Sequence, residues 1–252
     1  RDRLRSRGLG DVYKRQVYIN GQKVGYWPYG YNSFYFDITK YLKPGEKNTL
    51  AVRLENLPES SRWYPGAGLY RNVHLIITED AYIPVWGTYI TTPSVNEKFA
   101  KVNVRTKVVL PEGADPAKYS VETSVWNPNK QKLTAVRTSL AQMKYNNDLA
   151  EQEFVIQDPS LWSPEMPALY SAETRLYEGD KLKDTYTTPF GIRSIEIIPD
   201  KGFFLNGKRT VFKGVCNHHD LGPLGAAVND AAIRRQIRIL KDMGCNAIRT
   251  SH

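Results

Sequence analysis

Residues 210–252 read TVFKGVCNHHDLGPLGAAVNDAAIRRQIRILKDMGCNAIRTSH. Residues 210–215 are largely apolar, the pattern of a strand covered on both faces. Asn229 is a good helix N-cap, with Asp230 in the first turn. Ile233, Ile237, Leu240 and, more loosely, Met243 make an apolar stripe at helical spacing. Arg234, Arg235, Arg238 and Lys241 fall on the opposite face, and Gly244 is a natural helix stop. CNAIR follows as a second strand. The stretch therefore reads strand, loop, helix, strand, with parallel strands and a right-handed connection. Three of the four histidines, His218, His219 and His252, stand at the ends of those strands. In a barrel of alternating strands and helices, such strand ends form the mouth in which chemistry takes place. The expectation is that the chain stops inside an enzyme, after the first two pieces of its catalytic face.

Upstream the period changes. Asn206-Gly207 is a two-residue hairpin signal within GFFLNGKRTVFKGV, and Asn20-Gly21 is another between VYI and QKVGY. From about residue 83 to 191, seven segments have strand character: VWGTYITTPSV, KVNVRTKVVL, YSVETSVWN, KLTAVRTSLAQM, AEQEFVIQ, ALYSAETRLYEG and DKLKDTYTTPF. Their spacing, with turn signals PEGADP, NPNK and EGDK, indicates an immunoglobulin-like β-sandwich. LWSPEMPALY is punctuated by proline and is expected to cross between the two sheets. Residues 17–80 also read as strands and turns. Phe34, Phe36 and Ile38 alternate with polar partners; Leu50, Val52 and Leu54 share a face; and Val73, Leu75 and Ile77 are expected to point inward. No internal repeat is present.

Composition agrees with a mainly β chain of 252 residues, aromatic at 12% with sixteen Tyr. No run of 18 apolar residues exists, so no membrane span is expected. The net charge of +9 is uneven: residues 1–16 contribute six Lys/Arg and two Asp. The rest is spread along the chain, without the basic stripe of a nucleic-acid binder. Residues 1–16, RDRLRSRGLGDVYKRQ, lack an apolar period and a signal-peptide core. They abut a strand already under way and read as a non-native, adapter-like or disordered leader. Cys216 and Cys245 form neither a disulfide framework nor a zinc spacing, and buried thiols are the default there. Compartment is left open between bacterial periplasm and cytoplasm.

Three chemistries compete for the strand-end histidines. Asn217, His218, His219 and Asp220 follow the first strand; Thr250, Ser251 and His252 follow the second. Neighbouring residues at a strand end point in different directions, and HxH and HExxH spacings are absent, so a metal site is disfavoured. A single histidine is more often a loop hydrogen-bonding group, but three gathered on one face are not explained that way. Binding a substrate in a barrel mouth fits them best, since imidazole can donate to a hydroxyl or exchange a proton near neutrality.

Six ordered runs carry a resemblance: YGYNSFYFDIT, SRWYPGAGLYRNVHL, LWSPEMPALY, FGIRSIEI, GFFLNGKRTVFKGVCNHHDLGPLGAA and LKDMGCNAIRTSH. The chain from Val17 onward resembles glycoside hydrolase family 2, most of all its β-galactosidases. The resemblance implies three parts: residues 17–80 as the latter half of a sugar-binding jelly roll, 82–191 as the immunoglobulin-like sandwich, and 192–252 as the first β–α–β unit of a (β/α)8 TIM barrel. By the same resemblance His218 and His252 line the pocket of the terminal sugar, and Arg249 organises it. Asp220 is a weaker candidate, because the family varies there. Arg62 and Trp63 lie in a loop that reaches toward the sugar.

Retaining glycosidases need two carboxylates about 5–5.5 Å apart. The family carries both as Glu on later barrel strands, so no catalytic residue is expected in this segment and the segment is expected to be inactive. The implied partner is a β-galactoside oligosaccharide or glycan. The resemblance implies no cofactor here, leaves Mg2+ or Na+ open for a full-length member, and allows a homo-oligomer. The alternatives are a β-glucuronidase or β-mannosidase of the same family, or a non-catalytic carbohydrate-binding sandwich, which would leave the β–α–β unit unexplained.

Overall fold

The computed structural model describes residues 2–6, 15–29, 32–55, 68–69, 71–142, 149–218, 221–225, 227 and 229–250. Contacts divide the chain into two compact units: Arg1–Ile77 with Phe212–His252, and Thr78–Val211. No helix among the described residues is long and apolar enough to cross a membrane.

The amino-terminal part of the first unit contains β1 (Asp2–Ser6), β2 (Arg15–Ile19), β3 (Gln22–Trp27), β4 (Phe34–Asp37), β5 (Leu50–Arg53) and β6 (Val73–Ile77). They form two antiparallel sheets, β3-β2-β5 and β4-β1-β6. Asn20 and Gly21, both with positive φ, make the tight turn between β2 and β3. The core is Val17, Ile19, Phe34 and Ile38, with Phe36 and Val52 packed against it.

Two expectations are revised in this region. Residues 1–16 read as a non-native, adapter-like or disordered leader, and the disordered alternative fails for the residues described: Asp2–Ser6 pair antiparallel with both β4 and β6, and Arg15 and Gln16 open β2. A ladder is made by backbone N–H and C=O, so a segment without an apolar pattern can still satisfy two strand edges. Arg15 is fully buried, its guanidinium 5.7 Å from the Phe34 ring centroid. Val73, Leu75 and Ile77 are exposed rather than inward, at 39%, 56% and 70%. Ile76 is the more covered residue of β6; alternation identifies the two faces of a strand but not which one a neighbouring layer covers.

In the second unit, all seven expected strands form: β7 (Thr88–Val95), β8 (Phe99–Lys107), β9 (Tyr119–Trp126), β10 (Lys132–Ser139), β11 (Leu149–Gln157), β12 (Tyr170–Glu178) and β13 (Lys181–Phe190). They make two antiparallel sheets, β11-β8-β7 and β10-β9-β12-β13. Strict alternation places Ala100, Val102, Val104, Val125, Phe154, Ile156, Tyr170 and Ala172 in one core cluster. Val108, Tyr119, Val121, Leu140, Ala150 and Leu176 fall in a second. Each Val, Leu, Ile or Phe among them contributes roughly 1.5–3 kcal/mol by leaving water. Gln152 is a buried polar exception in β11. Its amide donates to Val121 O at 3.3 Å and Val136 O at 3.1 Å in the facing sheet, so one side chain bridges both layers.

Residues 158–169 cross from β11 in one sheet to β12 in the other, as the proline punctuation indicated. Three of the sequence runs meet there. Trp162 N–H donates to Ile192 O at 2.8 Å, and Arg193 lies 4.8 Å from the Trp162 ring centroid. Asn206, at the turn between β15 (Gly202–Leu205) and β16 (Lys208–Arg209), donates to Trp162 O at 3.0 Å and accepts from Ser194 N–H at 3.0 Å. With β14 (Ile195–Ile198), these strands form the sheet β14-β15-β16. Contacts therefore group this hairpin with the sandwich, although the sequence reading began its third part at residue 192.

Candidate active site at the strand ends

The remainder of the first unit is β17 (Gly214–Asn217), α1 (Asp230–Asp242) and β18 (Ala247–Thr250). Its helix is punctuated as the sequence indicated. The Asn229 side chain accepts from Ala232 N–H at 3.1 Å. Gly244 has φ +85, a left-handed conformation that costs a residue without Cβ little. Gly244 N–H reaches Lys241 O and Cys245 N–H reaches Leu240 O, both at 2.9 Å. This pair of bonds is a Schellman stop, which satisfies carbonyls otherwise orphaned at the helix end. Along the apolar stripe, Ile233 and Leu240 are half-buried, while Ile237 and Met243 are 45% and 69% exposed.

β17 and β18 pair in parallel with register Gly214↔Ala247, Val215↔Ile248, Cys216↔Arg249 and Asn217↔Thr250. The first strand starts four residues later than its apolar composition suggested. Residues 210–213 lie outside the ladder, and Val211 and Phe212 are 56% and 62% exposed. What fixes its start is a polar clamp. Lys213 N–H donates to Asn246 Oδ1 at 2.8 Å, while Asn246 N–H and Ala247 N–H donate to Lys213 O at 2.9 and 3.3 Å. Asn246 was not singled out from sequence. Its signal, an Asn immediately before a short apolar strand, acquires meaning only once its partner strand is known.

The carboxyl ends of the two strands are level, with Asn217 opposite Thr250. His218 follows Asn217 directly and is exposed. Arg249 is exposed and shares a register position with Cys216. Cys216 is itself exposed, contrary to the buried default, and both cysteines are free thiols. The structure thus brings the His218 and Arg249 segments to one end of one parallel pair. His219, Asp220, His252, Arg62 and Trp63 lie outside the described residues. Among the described residues, no group of three His, Cys, Asp or Glu could hold a metal ion.

Chemically, the described part of this rim offers donors and a fixed positive charge. An exposed imidazole and a guanidinium can hydrogen-bond hydroxyls or a developing negative charge. Neither can act as a carboxylate nucleophile.

Comparison with known proteins matches both portions of the chain. Residues 82–193 match the model of glycosyl hydrolases family 2, and residues 196–252 match the TIM barrel domain of the same family. A β-galactosidase from Bacteroides ovatus is 44% identical over 244 residues, covering 96% of this chain and 29% of that protein. A β-glucuronidase from Bacteroides fragilis is 34% identical, covering 99% of this chain and 37% of that protein. The crystal structure of a glycosyl hydrolase family 2 member from Bacteroides cellulosilyticus superposes with TM-score 0.89 at 34% identity, covering all of this chain and 32% of that one. The chain thus spans between 29% and 37% of the length of these relatives.

Proposed function

The chain belongs to glycoside hydrolase family 2, and on that premise we propose that the whole protein hydrolyses terminal β-galactosides with retention. In this reading the 252-residue segment supplies part of the sugar pocket. The observation that carries it is the level pair of strand ends, with Asn217 opposite Thr250, the residues from which the NHH run and the end of the RTSH run continue in sequence. His218 and His252 would bind hydroxyls of the terminal sugar. Arg249 would hold the charge and orientation of the pocket. Asp220 and, from the first domain's loop, Arg62 and Trp63 are secondary candidates for sugar contact.

Hydrolysis with retention needs two carboxylates about 5–5.5 Å apart, one attacking the anomeric carbon and one protonating the leaving oxygen. No described residue of this segment provides that pair at the strand ends, and a (β/α)8 barrel places its catalytic groups on several different strands. The segment therefore binds without cleaving, and cleavage belongs to the longer protein. Similarity to the Bacteroides ovatus β-galactosidase supports galactose as the sugar. Similarity to the Bacteroides fragilis β-glucuronidase supports a second reading, in which the sugar carries a carboxylate.

Turnover of 4-nitrophenyl β-galactoside and 4-nitrophenyl β-glucuronide, by this segment and by a longer protein with a complete barrel, tests the proposal. The segment should give background rates, and the longer protein should prefer the galactoside. In the longer protein, His218→Ala should lower kcat/KM by about a hundredfold, as for loss of one transition-state donor. Robust turnover by the segment refutes the division of roles. A preference for the glucuronide replaces the first reading with the second.

A further inference from the structure

The outer face of the β10-β9-β12-β13 sheet holds a cleft of about 430 Å³, within the usual size of small-ligand sites, roughly 300–1,000 Å³. Its floor follows from register. Tyr170, Ala172, Thr174 and Leu176 of β12 point into the core, so Ser171 and Glu173 point out. Ser171 stands between Trp126 of β9 and Pro189 of β13, and Glu173 stands beside Thr187 of β13. Small hydroxyl residues keep the floor low, and the half-buried Trp126 lines the cleft.

The rim is fixed. Asn127 Oδ1 accepts from the N–H groups of Asn129 and Gln131 at 3.0 and 2.9 Å, and Asn127 Nδ2 donates to Gln131 Oε1 at 2.9 Å. Within that turn Lys130 takes φ +61 and lines the cleft. The Glu173 carboxylate is held by Arg175 at 2.7 Å.

These groups select a class of ligand. Glu173 is already paired with Arg175, which leaves Lys130 as a single positive charge, too little to hold a polyanion. Pro128, Leu169 and Pro189 give the lining an apolar share, which the hydroxyls of Ser171 and Thr187 interrupt. A pyranose ring suits both features: its C–H face covers an indole, while its hydroxyls bond the carboxylate and the two side-chain hydroxyls. We propose that this cleft, formed wholly within the sandwich unit, is a binding site for a pyranose oligosaccharide. It goes beyond the strand-end pocket, although the choice of a galactosyl probe rests on the reading of that pocket.

The test is calorimetric titration of the 252-residue chain with β-1,4-galactotetraose and, separately, with cellotetraose. Saturable binding of either is expected, with amide shifts at Ser171 and Glu173. Trp126→Ala should weaken it about tenfold or more. Ser171→Arg, which fills the cleft and leaves the indole in place, should abolish it and covers the case in which the Trp variant does not fold. Failure of both tetraoses to saturate, or unchanged affinity in both folded variants, overturns the proposal. Binding lost through His218→Ala rather than Trp126→Ala overturns it as well, by assigning the sugar to the strand ends. Cellotetraose binding without galactotetraose binding retains the cleft, while the galactoside reading stands or falls on turnover.

Discussion

A Cβ built on Gly214 would lie 2.1 Å from the carbonyl oxygen of Ala247, its register partner in β18. Real Cβ atoms do not approach a backbone oxygen so closely, so the two strands can pair here only because residue 214 has no side chain. Elsewhere in a strand, replacing Gly by Ala stabilises by about 0.5–1 kcal/mol. Here the sign reverses, because neither atom is the flexible end of a side chain. Gly214→Ala should destabilise the β17–β18 pair by about 1–3 kcal/mol, the usual cost of overpacking. Amide exchange at Ile248 and Arg249 should accelerate, with exchange in β8 and β12 unchanged. Unaltered protection at those two amides refutes the close approach.

The joint around Asn206 yields a second, two-part expectation. Asn206 has φ +50, and its side chain ties Ser194 to Trp162. Asn206→Gly keeps the backbone conformation but loses two hydrogen bonds between half-buried groups, at about 0.5–1.5 kcal/mol each. Asn206→Ala loses the same bonds and adds the penalty of a left-handed Cβ, roughly another 1–2 kcal/mol. Denaturant melts should therefore rank wild type above Gly above Ala. If Ala and Gly melt together, the turn conformation is not under strain.

Much of this architecture was legible because it rests on patterns local to one segment. Three of the sandwich strands, β8, β11 and β12, alternate strictly, as in β12, where Tyr170, Ala172, Thr174 and Leu176 are buried and their neighbours are not. Asn229 and Gly244 mark the ends of α1 through hydrogen bonds closed within a few residues. What was not legible depends on a distant partner. β1 has no apolar signature and is defined only by β4 and β6. The start of β17 is set by Asn246, some thirty residues on, rather than by the apolar run that precedes it. The site was half legible in the same sense. Two histidine-bearing runs at two strand ends pointed to a rim, but the pairing of Asn217 with Thr250 is a fact of register.

Lys183 sets a pH dependence. Its ammonium, only 8% exposed, meets Glu79 at 2.5 Å, Asp80 at 3.3 Å and Glu178 at 3.5 Å. The hydrogen bond to Glu79 is the main reason that the Lys183 pKa is raised. Glu79 is held below its ordinary value first by Lys183 and then by Lys181, and Asp80 first by the Ala81 N–H and then by Lys183. A raised Lys contributes stability fully below its ordinary pKa and loses it as pH rises through the folded value. Lowered carboxylates contribute above their ordinary pKa and lose it as pH falls through the folded value. The network is therefore fully formed between the ordinary carboxylate range, about pH 4–4.5, and the ordinary lysine value, about pH 10.4. Lys183→Met should lower the melting temperature throughout that window, where it leaves carboxylates crowded together. The deficit should shrink as the pH falls below about 4, where those groups accept protons. A deficit independent of pH would mean that Lys183 acts through its methylene stem alone.

Limited proteolysis should separate the two units. Thr78–Val211 contains both sandwich core clusters, and its edges are reinforced by the Lys101–Glu153 and Arg105–Glu151 pairs at 2.9 and 3.1 Å. In the other unit, apolar side chains face solvent on β6, α1 and both parallel strands: Leu75, Ile77, Val215, Ile237, Met243 and Ile248 are all exposed. Two parallel strands and one helix bury too little surface to offset the entropy of ordering them. Brief digestion with trypsin or chymotrypsin should leave a resistant fragment bounded near residues 78 and 211, with early cuts among residues 212–252. Apolar faces in reach of solvent should also make the intact chain associate as its concentration rises. A resistant core that mapped to 17–77 or 212–252 would show instead that those parts are stable on their own.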